Sequence, residues 1–276
     1  MQKGSISQVR AFESVPGREG EPLQVGKTMH KSVSGQMGEP GRQPESVPEI
    51  VPAPKKDPLR EWAAGHIREV RAFFLLFYSV GVAGLFFPVT RDLFRDLITP
   101  ALLLSWGALM VYQPALRSRR VLLFFLFVWA TGFLVEMAGV NTGKIFGNYQ
   151  YGSGLGWKIN GTPLMIGINW LLLTLFFADL VERTTIRGWG SPFLAALGMI
   201  MYDLLLEQAA PELDMWHWAH GTIPLQNYFS WFLLALFFQL FLKVFRIPVR
   251  NPLAPILLLC QFLFFLVLVI LFKFTP

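Results

Sequence analysis

The run "LAPILLLCQFLFFLVLVILFKF" (residues 253–274) carries one charge, Lys273, at its far end. At about 1.5 Å of rise per residue, a helix of this length crosses the ~30 Å hydrocarbon core of a bilayer. In water it would have no polar face to present. Similar charge-poor stretches recur along the chain and predict seven spans, roughly 71–88, 97–113, 121–140, 163–181, 192–210, 228–246 and 253–273. Pro100 and Pro114 bracket the second. The fold class is therefore all-α: a polytopic membrane helical bundle of about seven transmembrane helices. With 53% hydrophobic residues and 26 phenylalanines in 276, the chain is too apolar for the surface of a soluble domain.

Residues 1–58 differ from the rest of the chain. "GREGEPLQVGKTMHKSVSGQMGEPGRQPESVPEIVPAPKKDP" is rich in Gly, Pro, Glu, Lys and Ser, without apolar periodicity. Such a segment cannot bury enough surface to offset its ordering entropy, so it is predicted to be a disordered tail, His30 included, ahead of a transmembrane domain over 59–276. A short basic amphipathic stretch, "LREWAAGHIREVR", leads into the first span. The net charge of +6 lies mostly beside apolar runs and reads as a topology signal, with no nucleic-acid partner expected. With the N-terminus cytoplasmic, the inner segments carry Lys55, Lys56, Arg60, Arg68, Arg71, Arg117, Arg119, Arg120, Arg183, Arg187, Lys243, Arg246 and Arg250. The outer segments carry only Arg91, Arg95, Lys144, Lys158 and Lys273. This bias predicts an inner-membrane protein whose 141–160 and 211–227 loops face outward. The one cysteine, Cys260, lies inside the last run, which leaves no disulfide within the chain and no cysteine-based metal site.

Two outward loops stand out. "NTGKIFGNYQYGSGLGWKIN" (141–160) is long, glycine-rich and outside any helical period, and Phe146, Tyr149, Tyr151 and Trp157 argue that it packs. "MWHWAHGTIPLQNYFSW" (215–231) follows Asp214 and holds Trp216, His217, Trp218, His220, Asn227 and Trp231. His217 and His220 are three apart, but without HExxH or a cysteine pair no metal is expected. Each loop ends alike. "GTPLMIGINW" and "GTIPLQNYFSW" both place Gly-Thr ahead of Pro-Leu, and Trp170 and Trp231 each fall seven residues after the proline. Asn169 and Asn227 lie in these matched stretches, and the proline suits a first helical turn. Spans three–four and five–six therefore read as a weak internal duplication.

The helices entering these loops carry acids: Glu136 in span three, Asp203 and Glu207 in span five. Helical rise puts Glu136 and Glu207 about 8–9 Å outward of their helix centres, Asn169 about 5 Å outward, and Asp203 near the midplane, one turn from Glu207 on the same face. No Lys or Arg lies at that depth. Acids there persist by pairing, by facing a wet cavity or by holding their protons. Asp214 reads equally as a loop hydrogen-bond hub or a participant in chemistry, and the tryptophans equally as an interfacial belt or a pocket lining. The inner half of spans three to six reads as almost purely apolar. The Asp179, Glu182 and Arg183 group at the inner end of span four has no functional reading.

Neutral acids, indole faces and no cofactor motif suit protonation of a carbon–carbon double bond, with aromatic faces stabilising the resulting tertiary cation. Capture by water gives an alcohol; loss of a proton gives an isomer or a cyclised alkene. Within a bilayer, a substrate with such a bond is an isoprenoid.

"FLVEMAGVNTGKIFGNYQYGSGLGWKINGTPLMIGINW", "YDLLLEQAAPELDMWHW" and "GTIPLQNYFSW" resemble the CruF-type carotenoid 1,2-hydratases, which include the haloarchaeal bisanhydrobacterioruberin hydratases. The resemblance covers about residues 121–245. It implies cofactor-independent addition of water across the terminal double bond of a linear carotenoid, giving a 1-hydroxy end group. Matching positions include Glu136, Phe146, Tyr149, Tyr151, Asn169, Trp170, Asp203, Trp216, Trp218, Asn227 and Trp231. The roles assigned to them come from the residue chemistry. Asp203 or Glu207 protonates the alkene, with Asp203 favoured for its depth, and Glu136 with Asn169 or Asn227 positions water. Trp170, Trp216 and Trp231 line the pocket. Asp214 and His217 are further candidates, as catalyst and as substrate contact. Three readings compete: a carotenoid cyclase or isomerase using the same cation, a proton-coupled transporter using the acids as a relay, and a pigment-binding subunit. The apolar inner half argues against a conducting path.

Overall fold

In a computed structural model, which describes residues 58–274, the chain is an all-α polytopic bundle with two small β-ribbons. The tail predicted over 1–58, with His30, lies outside the described residues except for Pro58, which opens the first helix. The order is α1 (Pro58–Gly65), α2 (Ile67–Phe86), α3 (Pro88–Asp96), α4 (Ile98–Val111), α5 (Arg119–Thr142), β1 (Tyr149–Tyr151), β2 (Lys158–Ile159) and β3 (Thr162–Pro163). Then come α6 (Met165–Glu182), α7 (Gly190–Ala209), β4 (Trp216–Trp218), α8 (Leu225–Val244) and α9 (Ala254–Phe274).

Among the described residues six helices are long and apolar enough to cross a membrane, and a seventh span arises if α3 and α4, bent by 51°, count as one. The bend has a local cause. Arg91, Asp92, Arg95 and Asp96 crowd the nine residues of α3, which cannot enter hydrocarbon with them. The Arg95 guanidinium instead reaches the Glu212 carbonyl at 2.8 Å, and Arg91 the Leu85 carbonyl at 3.1 Å. Alone, the fourteen residues of α4 rise only about 21 Å, short of a full crossing.

Helix α6 is the centre of the bundle, touching α4, α5, α7, α8 and α9. Fourteen of its eighteen residues are buried, as expected of a helix that is apolar all round. Lipid supplies no hydrophobic drive between helices, so close approach through small residues matters. At the α5–α6 seam a Cβ on Gly132 would lie 2.9 Å from the Trp170 ring, and one on Gly167 2.6 Å from the Trp129 carbonyl oxygen.

The end of the bundle opposite β1 and β4 is tied by polar groups. Asp179, fully buried, accepts two bonds from Arg183 at 2.7 and 2.9 Å and one from the Asn251 backbone N–H at 2.9 Å. Gln239, also buried, donates to the Thr174 carbonyl at 3.0 Å. The expectation of an almost purely apolar inner half is corrected to this extent: these polar groups are present and are satisfied locally, as buried polar atoms must be.

Candidate active site

Glu136 and Glu207 end up in one chamber because the two loops that come after them pair with each other. β1 and β4 form an antiparallel ribbon with Tyr149 opposite Trp218, Gln150 opposite His217 and Tyr151 opposite Trp216. Alternation along each strand sends Tyr149, Tyr151, Trp216 and Trp218 to the inner face and Gln150 and His217 outward. Backbone bonds from Gly152 to the Met215 carbonyl (2.9 Å) and from Gly154 to the Asp214 carbonyl (2.8 Å) continue the pairing. The sequence pointed to packed loops but not to this ribbon. The Y-x-Y and W-x-W alternation was the available signal.

Beneath the ribbon, Glu136 Oε2 accepts the hydroxyls of Tyr149 (2.5 Å) and Tyr151 (2.9 Å), while its Oε1 accepts the Trp170 indole N–H at 3.0 Å. Glu207 repeats the plan. Its Oε2 accepts the indoles of Trp216 (3.0 Å) and Trp218 (2.8 Å), and its Oε1 the Asn227 amide at 3.0 Å. The same amide lies 3.5 Å from Asp203 Oδ2. Asp203 is fully buried and its Oδ1 has no partner among the described residues. Burial, then the charge of Glu136, pushes both tyrosine phenols far above their usual range, so they remain donors.

The two tryptophans that come after the matched prolines pack together, their rings tilted by 30°. Trp170 and Trp231 lie 4.0 Å apart between ring centres, both buried. Between the two glutamates, with Ile166, Asn227 and Trp231 on the walls, is a void of about 10 Å3 for the centre of a water-sized sphere. That is the scale of a single water, and polar groups surround it.

Several expected residues are placed elsewhere. Asn169 does not face the glutamates. It lines a separate apolar groove of about 350 Å3 with Phe77, Leu102, Tyr202 and Phe264, from α2, α4, α7 and α9. In register with the prolines, Ile166 and not Asn169 matches Asn227. Pro163 lies in β3, two residues before α6 begins, whereas Pro224 directly precedes α8. Phe146 is buried and supports Tyr149 edge-on at 6.2 Å without reaching the chamber. Trp157 is 88% exposed, so it does not pack.

Asp214 and His217 sit on the outer side of the ribbon. Asp214 Oδ2 accepts the Ser153 N–H (2.7 Å) and hydroxyl (2.5 Å), and Oδ1 pairs with His217 Nε2 at 2.9 Å. The Ser153 bonds first, then His217, hold the Asp214 carboxyl down at about 2. This is a clasp between the two loops, and sequence reasoning did not anticipate Ser153. Among the described residues no three His, Cys, Asp or Glu side chains are placed to hold a metal ion.

The fold and chamber define a class: a multi-pass membrane protein with a buried acid–aromatic centre. A family model described as "Carotenoid biosynthesis protein" matches residues 98–275, and the chain belongs to that family. The match takes in every helix and strand that builds the chamber. No curated protein and no solved structure matches the chain. A role in carotenoid biosynthesis follows from the family.

Proposed function

We propose that the protein is a cofactor-independent carotenoid hydratase, adding water across the terminal 1,2 double bond of a linear carotenoid. The supporting observation is the convergence of Glu136 and Glu207, from α5 and α7, around a void on the scale of one water, with Asp203 buried behind the Asn227 amide that lines it. Hydrogen-bond chemistry divides the roles. Indoles only donate, so Glu207 Oε2 is committed to accepting from Trp216 and Trp218. Asp203 Oδ1, buried without a partner, is the oxygen that carries a proton.

In the reaction Asp203 delivers that proton to C2 of the end group as the π bond breaks, leaving a tertiary cation at C1. Trp231, on the wall of the void and backed by Trp170, and the ribbon aromatics offer their faces to it. A water held at Glu136 forms the new C–O bond, and its proton passes to that carboxylate. The proton on Glu136 returns to Asp203 by way of water as product leaves, so that one water is consumed and nothing else. The void holds no end group as folded, so the β1–β4 ribbon shifts to admit one. With the N-terminus cytoplasmic, the chamber lies toward the outer leaflet and the polyene extends sideways into lipid.

The test is expression in cells that make lycopene, with mass measurement of the extracted pigment. A gain of one water per hydrated end is expected. Altered pigment of unchanged mass replaces this reading with a cyclase or isomerase; unaltered pigment removes the enzyme reading. Asp203→Asn should abolish the product while the protein still assembles in the membrane.

A further inference from the structure

At the end of the bundle away from the acids, α6, α7 and α8 part around a cleft of about 360 Å3, within the range of small-molecule sites. Its walls are mostly hydrocarbon, Ala178 and Val181 from α6, Pro192 and Ala195 from α7 and Leu242 from α8, with Gln239 and Ser191 as the polar groups among them. Its mouth is basic. Lys243 ends α8 and lies 3.3 Å from the Ser191 hydroxyl. The next segment, "RIPVR" (246–250), turns Ile247 and Val249 into the protein and leaves Arg246 and Arg250 exposed on either side. Among the described residues neither arginine makes a side-chain hydrogen bond or ion pair with a partner. The carboxylate lining the cleft is that of Glu182, so three cations face one anion. Arg183, nearby, is already engaged by Asp179.

We infer that this cleft binds an anionic phospholipid, its phosphate at Arg246, Arg250 and Lys243 and an acyl chain against the apolar walls. Charge complementarity selects the headgroup. Placement selects a lipid over a free anion: the cleft opens at the ends of three membrane-spanning helices, where a phosphate with hydrocarbon attached already resides. The site is separate from the acid chamber, which lies at the opposite ends of the same helices.

The experiment uses the full chain in bilayer discs of phosphatidylcholine with a minor fraction of phosphatidylglycerol, counting lipids retained by native mass spectrometry. The wild type should keep one phosphatidylglycerol in preference to phosphatidylcholine. The R246Q/R250Q variant should lose that preference by about 25-fold, roughly fivefold for each arginine. R246K/R250K should keep most of it, and K144Q/K273Q, altered at the other end of the bundle, all of it. A wild type that retains both lipids alike overturns the proposal, whatever the variants do. So does an R246Q/R250Q protein that binds like the wild type, or complete displacement by millimolar inorganic phosphate.

Discussion

Glu136 and Glu207 are held by matching scaffolds: a helix ending at the loop, a strand giving two alternate aromatic donors, and a third donor from the next helix. The halves differ in what those donors are able to do. Tyrosine hydroxyls donate or accept, so the Glu136 half adjusts to a proton arriving or leaving. The indoles above Glu207 only donate, so that half is fixed in one polarity. Four residues before each glutamate the contrast is sharper. Position 132 is glycine, its space taken by the Trp170 ring, whereas position 203 is a buried aspartate with an unpartnered oxygen. The two halves share a frame and differ at the donors and one turn below.

That contrast sets the order of expected effects. Glu136→Gln should lower product formation about 100-fold, the scale of losing a general base. Glu207→Gln should stay within about tenfold, since one amide oxygen still accepts both indoles and Asn227 turns its own oxygen to the new N–H2. Pigment yield at matched protein levels measures both, and equal losses would erase the distinction between the two halves. Tyr149→Phe comes next. Losing a short bond to a buried carboxylate should cost about tenfold in product, against about threefold for Trp218→Phe. A reversed ranking would mean that the fixed half handles the protons.

Gly132→Ala probes packing in place of chemistry. The added methyl meets Trp170 and should cost about 1–3 kcal/mol, read as a lower melting temperature in detergent. An unchanged melt would show that α5 and α6 are looser than their geometry. The smallest effect belongs to the clasp outside the chamber. Asp214→Asn should cost at most about 1 kcal/mol, because the pair is partly exposed and screened. Its carboxyl is held below its unfolded value of about 4, so its contribution is complete above that pH and is lost as pH falls toward 2. Melting wild type and variant from pH 5 downward should show the difference between them closing.

The matched loop ends illustrate how far residues in a line reveal a site. Matched prolines point to Trp170 and Trp231, and in space these two rings pack together. Matching by residue type, Asn169 with Asn227, points to the wrong helix face, because Asn169 lies one residue, about 100°, round the helix from Trp170 and lines the apolar groove. Ser153 and Ile166 gave no signal, since one acts through a loop contact 61 residues away and the other only fills space.

Sequence by itself determined the membrane class and the existence of the spans, because hydrocarbon length and the absence of charge are properties of consecutive residues. It also determined that Glu136, Asp203 and Glu207 had to be sheltered, since no unpaired acid is tolerated at that depth. Only tertiary structure decided that the shelter is shared. Pairing of β1 with β4 joins positions 65 to 69 residues apart, and no local property of either strand names its partner. Which donor each glutamate oxygen meets was decided in the same way, once the helices had packed.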